Sequence, residues 1–106
     1  MTIEADCKPG PTPTAEDIAA TAEVFRLLGD PPRLKILLAC LDAPIPVGEI
    51  ASKLNISQSL VSHHLRLLRS ARVVRGTRHS KHVLYEAHDH HIRHVVTDML
   101  THAGEG

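Results

Sequence analysis

Aromatic side chains are almost missing from this sequence, which has one Phe, one Tyr and no Trp among its 106 residues. Proteins that hold single-stranded nucleic acid stack its bases on aromatic rings. Phe25 and Tyr85 are too few for that, so any nucleic-acid partner is expected to be duplex DNA. Cysteine is scarce as well. Cys7 and Cys40 do not make a disulfide framework, and Cys40 falls in an aliphatic run where a buried small hydrophobe is expected. No apolar run approaches the roughly 20 residues that span a bilayer, and no leader pattern opens the chain. The expectation is a cytoplasmic protein without a membrane partner. The length allows one domain with a thin core, to which an interface between two copies would add buried surface.

Acidic residues are also missing, but only from one segment. The formal net charge is zero, yet no Asp or Glu occurs between Ile50 and Tyr85. Lys53, Arg66, Arg69, Arg72, Arg75, Arg78 and Lys81 all lie there. A neutral chain with one basic segment has a footprint suited to phosphate, although a solvated charged face has the same composition.

Residues 1–14 carry Pro9, Pro11, Pro13 and Gly10 and read as a flexible arm. Thr14 suits the N-cap of a helix from Ala15 to Leu28, ended by Gly29. Asp30-Pro31 opens a second helix, which stops before Pro44 and Pro46. A short helix from Val47 to Leu54 is closed by Asn55, and Ser57 caps the next, from Gln58 to about Ser70. The period then changes. Val73-Val74 and the alternating Val83 and Tyr85 predict two strands around a tip at Arg78-His79-Ser80-Lys81. A last helix runs from about His90 to Ala103. The predicted fold is mainly α with a β-hairpin wing: a winged helix-turn-helix, working as a homodimer, with the domain occupying residues 15–106.

Two helices joined by a three-residue turn place the second in the major groove. The Gln58–Ser70 helix is two-faced, with Val61, Leu65 and Leu68 on an apolar stripe. Opposite lie Ser59, Ser62 and His63, which together with Gln58 can donate to and accept from base edges, with the capping Ser57 counted among the DNA-binding residues. Arg66 and Arg69 reach for phosphates, and Arg78 and Lys81 at the hairpin tip add contacts to the backbone or the adjacent minor groove.

Histidine, by contrast, is abundant, with nine in the chain. His88, His90, His91, His94 and His102 crowd the end together with Asp89, Asp98 and Glu105. On a helix, His91, His94, Asp98, His102 and Glu105 fall on one stripe beside the apolar face. Imidazoles and carboxylates are ligands for zinc, nickel or cobalt, although a solvated polar face is the plainer reading. His91 and His102 stand about 16 Å apart along the axis, whereas zinc donors lie about 2 Å from the metal. One chain therefore cannot bring both to one ion. Two antiparallel copies of the helix can, by joining Asp89 and His91 of one to His102 and Glu105 of the other in two symmetric sites.

The run Phe25–Leu34, the run Ser57–Arg69, and Tyr85 followed by Asp89-His90-His91-Ile92 resemble the ArsR/SmtB family of metal-sensing repressors. The resemblance covers Ala15 to Glu105. It is strongest to the zinc sensors whose ligands sit on the C-terminal helix, and their pattern falls on Asp89, His91, His102 and Glu105. What it implies is tetrahedral zinc shared between subunits. An apo-dimer would hold operator DNA and leave it when metal binds, with the His102 ring linked to the backbone carbonyl of Arg72. Thiolate sensors of the family carry cysteines where this chain has Pro46. Its nickel sensors recruit N-terminal ligands, for which this arm offers only Cys7 or Asp6. A glycine common at the hairpin tip is replaced by Ser80. Alternative readings are a winged-helix repressor answering to nickel, cobalt or another signal and, remotely, a zinc hydrolase. A catalytic zinc needs an open coordination position in a concave pocket, so no enzyme and no small-molecule substrate is expected.

Overall fold

The computed structural model describes residue 10 and residues 12–105. The expectations for Cys7, Asp6 and most of the N-terminal arm lie outside them. Among the described residues, five helices and a three-stranded sheet follow in order: α1 (Ala15–Leu28), α2 (Pro31–Asp42), β1 (Ile45–Pro46), α3 (Val47–Leu54), α4 (Gln58–Ser70), β2 (Val74–His79), β3 (His82–Ala87) and α5 (His90–Gly104).

Local chemistry sets most of these boundaries. Thr14 and Asp17 form a reciprocal capping box at 3.0 Å in both directions, which satisfies two otherwise orphaned donors of α1. Gly29 does end that helix, but with φ at −74°, so no left-handed turn is made there. Asn55 is left-handed with φ at 56° and closes α3. Ser57 Oγ accepts the Leu60 N–H at 3.1 Å and opens α4. The turn between α3 and α4 therefore has the expected chemistry.

The end of α4 is a Schellman motif. Arg72 takes φ at 61°, its N–H donates to the Arg69 carbonyl at 3.0 Å, and the Val73 N–H donates to the Leu68 carbonyl at 2.8 Å. An arginine thus occupies a position that glycine usually fills. Val73, expected to start the first wing strand, is used by this cap, and the strand begins at Val74.

The sheet order is β1–β3–β2, all antiparallel. β1 was not expected; two residues beside Pro44 carry no periodicity, and only pairing of Ile45 with Tyr85 and Pro46 with Leu84 makes them a strand. In the wing, His79 pairs with His82, leaving Ser80-Lys81 as a two-residue turn. Ser80 adopts φ of 59°, the conformation a glycine would take more easily. Gly76 has a different reason to be there. A Cβ would sit 3.0 Å from Val83 Cγ1 and 3.1 Å from Tyr85 Cε1 across the ladder.

Leu27, Ile36, Leu37, Ile50, Leu65 and Leu68 form the centre of one buried cluster. Helix α5 contributes only Val96 to the buried residues and is tied on by Arg93, which donates to the carbonyl of Leu41. Among the described residues no helix is long and apolar enough to cross a membrane.

Candidate nucleic-acid interface and metal-ligating helix

Burying Val61, Leu65 and Leu68 turns the opposite face of α4 outward. Ser59, His63, Arg66 and Arg69 are exposed there and Ser62 is half-buried. The Ser57 hydroxyl is occupied by its capping bond and lies 3.3 Å from Ser59 Oγ, so its first role is structural. The Gln58 side chain lies over Gly48, where an added Cβ would come within 3.4 Å of Nε2. Ser62, Arg66 and Arg69 line a shallow polar cleft of about 140 Å³ with Tyr85 of the wing.

Lys53, Arg66, Arg69, Arg72, Arg75, Arg78 and Lys81 are all exposed. Arg75 is partly neutralised by Glu86 at 3.4 Å across the ladder. Lys81 sits in the wing turn, and Arg78 precedes it on β2. Basic side chains on α4 and the wing thus flank a polar helix face that carries no acid, an arrangement suited to duplex DNA.

On α5, Asp89 is the N-cap and its Oδ1 accepts the Ile92 N–H at 3.1 Å. That bond, opposed by some desolvation, holds its carboxyl below the ordinary range, with the nearby His91 and His88 contributing. The group is ionised, as a metal ligand must be. His91 is exposed, its ring centroid 4.0 Å from that of His90. His102 and Glu105 are exposed at the far end, where the Glu105 N–H still bonds to the Thr101 carbonyl at 3.1 Å. The helix therefore keeps the two pairs apart. Among the described residues, no three His, Cys, Asp or Glu side chains of one chain gather to hold an ion.

His91 also borders an apolar surface. Phe25 on α1 is 58% exposed and Met99 on α5 is 57% exposed; Ile18, Val95 and Leu100 are open as well. Between the two helices runs a groove of about 360 Å³ lined by Phe25, Leu28, Leu34, Val95, Met99 and Leu100 among others.

Residues 30–75, from the start of α2 through the helix-turn-helix, match the family described as bacterial regulatory protein, arsR family. The chain is 40% identical over 102 residues to the HTH-type transcriptional repressor SmtB of Mycobacterium tuberculosis, covering 95% of this chain and 76% of that protein. The chain belongs to the ArsR/SmtB family. It is 30% identical to the regulator NmtR of M. tuberculosis over 95% of this chain and 84% of that one. The solution structure of apo-NmtR superposes with a TM-score of 0.75 over 93% of this chain and 83% of that chain, at 29% identity. A homodimeric winged helix-turn-helix DNA-binding domain from Mycobacterium bovis superposes at a TM-score of 0.81 over 92% of each chain; at 21% identity it shows the fold alone. This member of the ArsR/SmtB family is a DNA-binding transcription regulator of winged helix-turn-helix fold, not an enzyme.

One polar residue escaped the reading of the sequence. His64 is buried within α4 and accepts a hydrogen bond from Arg33 Nε at 3.2 Å. The signal was present: Val61, His64, Leu65 and Leu68 follow the i, i+3, i+4, i+7 spacing of a core stripe, and His64 lies on it. Cys40 behaves as expected, fully buried, with burial pushing its thiol up to about 12.

Proposed function

We propose that this ArsR/SmtB protein is a zinc-responsive repressor that binds operator DNA as an apo-homodimer and releases it when metal binds. Residues 15–105 form the winged domain, with α5 serving dimerisation and metal binding. The observation that carries the reading is on α5. Ionised Asp89 and exposed His91 stand at one end, exposed His102 and Glu105 at the other, and an uncovered apolar groove runs alongside. Burying that groove against a second copy would bring opposite helix ends together and complete a set of two imidazoles and two carboxylates. That donor set fits tetrahedral zinc, and cobalt or nickel also accept it. Bound metal would supply the free-energy difference between DNA-competent and DNA-incompetent dimers.

The chain's own residues have separate tasks. Phe25, Val95 and Met99 bury the interface. Asp89 both caps α5 and offers its second oxygen as a ligand. Gln58, Ser59, Ser62 and His63 read bases, Arg66, Arg69, Arg78 and Lys81 hold phosphates, and Ser57 fixes the start of the reading helix. The M. tuberculosis relative SmtB is a transcriptional repressor, which supports the sign of regulation. A DNA-binding repressor of this kind works in the cytoplasm.

The test mixes two inactive variants, His91→Ala and His102→Ala. In the mixed dimer both lesions fall in one shared site, so the other is whole and half the zinc binding returns. Sites contained within single subunits would stay broken, and no recovery would appear. Titrating zinc, cobalt and nickel with the upstream duplex present then ranks the metals by the operator release each causes.

A further inference from the structure

Among the described residues His64 is the one buried polar side chain, 8% exposed. Its partner Arg33 does more than accompany it. Arg33 Nε donates to His64 Nδ1 at 3.2 Å, while Nη1 donates to the Leu27 carbonyl at 3.3 Å. One guanidinium therefore ties the last turn of α1 and the first turn of α2 to the middle of α4. Asp30, at the N-cap of α2, stands 3.8 Å from the same Nε. Because arginine keeps its proton at any relevant pH, the geometry specifies the imidazole state: Nδ1 bears the lone pair, so a neutral ring carries its proton on Nε2.

We propose that the Arg33–His64 pair is a proton-sensitive latch that positions the recognition helix, closed while His64 is neutral and opened when His64 gains a proton. This rests on the DNA-binding reading and is independent of which metal acts. Adding a proton to Nδ1 would point an N–H at an N–H and set two cations against each other in a partly buried place. The latch would lose its hydrogen bond and gain a repulsion. His64 lies between His63 and Leu65, beside the base-facing positions, and side chains that read bases tolerate displacements of only about 0.5 Å. His64 touches no base, so it is a positioning residue.

The surrounding charges favour the neutral ring. Burial first, and then the Arg33 charge, push the His64 pKa below its ordinary value; Asp30 opposes this, and His63, 5.5 Å away between centroids, adds to it. Asp30 is 40% exposed, so water screens its pull. Glu23 on α1 is close enough to feel the Arg33 charge. Helix α3 and strand β2 add no further group to those acting on His64.

The test measures affinity of metal-free protein for a duplex selected in vitro, and for a random duplex, between pH 8 and pH 5 at constant ionic strength. Specific binding should weaken about tenfold or more between about pH 7 and pH 5 while random binding does not weaken, the behaviour of a histidine-controlled contact. His64→Gln keeps an acceptor for Arg33 without a titrating group. It should bind the selected duplex within about threefold of wild type at neutral pH and lose the acid-side weakening. His64→Leu should discriminate poorly at every pH. If His64→Gln weakens in acid just as wild type does, the latch is not the switch. If His64→Leu discriminates as wild type does, there is no latch. A protein that prefers the selected duplex at no pH would sink the DNA reading itself, a different failure. Should His64→Leu not fold, the Gln variant and the nitrogen chemical shifts of His64 decide. A bare Nδ1 at neutral pH that titrates together with operator affinity supports the proposal; a protonated Nδ1 at neutral pH refutes it.

Discussion

The helix-turn-helix with its wing and the α1–α5 end of the molecule treat their apolar stripes in opposite ways. On α4 the stripe is closed within the chain, since Val61, Leu65 and Leu68 are buried and what remains outside is polar or basic. Leu60, 41% exposed, is the exception. On α1 and α5 the stripe is open, with Phe25 and Met99 both more than half exposed. Such contiguous apolar surface marks an interaction site. One end is finished by its own fold and presents chemistry to a partner of opposite charge. The other end stays uncovered within the single chain, and in the proposed dimer it is the surface that a second copy buries.

Breaking the finished end should cost most. Leu68→Ala should lower unfolding stability by about 2–5 kcal/mol, since it empties a fully buried site. A denaturation midpoint that hardly moves would mean α4 is loosely packed. Cys40 sharpens the same point: its thiol, raised to about 12 by burial, should resist alkylation at neutral pH until the domain unfolds. Labelling of the native protein at the rate of a free thiol would contradict its position in the core.

Breaking the open end should leave the domain folded and change its assembly. Phe25→Glu or Met99→Glu should yield a folded monomer by sedimentation. Operator affinity should fall by about two orders of magnitude or more, because a two-fold site then loses one of its readers. Dimers persisting in both variants would place the interface elsewhere.

The DNA face should answer in smaller steps. Arg66→Ala or Lys81→Ala should weaken binding to all sequences alike and reduce the salt slope by about one unit per lost phosphate contact. Gln58→Ala or Ser59→Ala should instead cost about 1–3 kcal/mol of base discrimination, if each contributes a base contact. Unchanged affinity in all four would mean the wrong face of α4 has been assigned.

The smallest effect concerns pH and stability. His64 has a lowered pKa in the folded chain, so the unfolded chain binds the proton more readily and stability rises with pH. That contribution is whole above the ordinary histidine pKa of about 6.5 and is lost as pH falls below it. His64→Gln should flatten this part of the thermal-melt profile between about pH 7 and pH 5. An unaltered slope would show that other histidines carry it.

Much of this was legible in the chain because the signals are local. A capping box, a left-handed Asn, a serine cap and the 3.6-residue spacing of Val61, Leu65 and Leu68 act within a few residues, so order of elements and the outward face of α4 follow from sequence alone. So does the separation of His91 from His102, which the helical rise dictates. Three things were decided only by tertiary structure. β1 exists because Ile45 and Pro46 meet β3, a contact that no short-range pattern encodes. Val73 falls outside β2 because the cap of α4 claimed its N–H, while its carbonyl still accepts the His88 N–H beside the wing. The spacing of α4 puts His64 on the core stripe, but only the approach of Arg33, 31 positions earlier in the chain, makes it a buried acceptor. Hydrogen bonds between distant segments depend on where the packed helices leave their side chains, and packing is a property of the whole core.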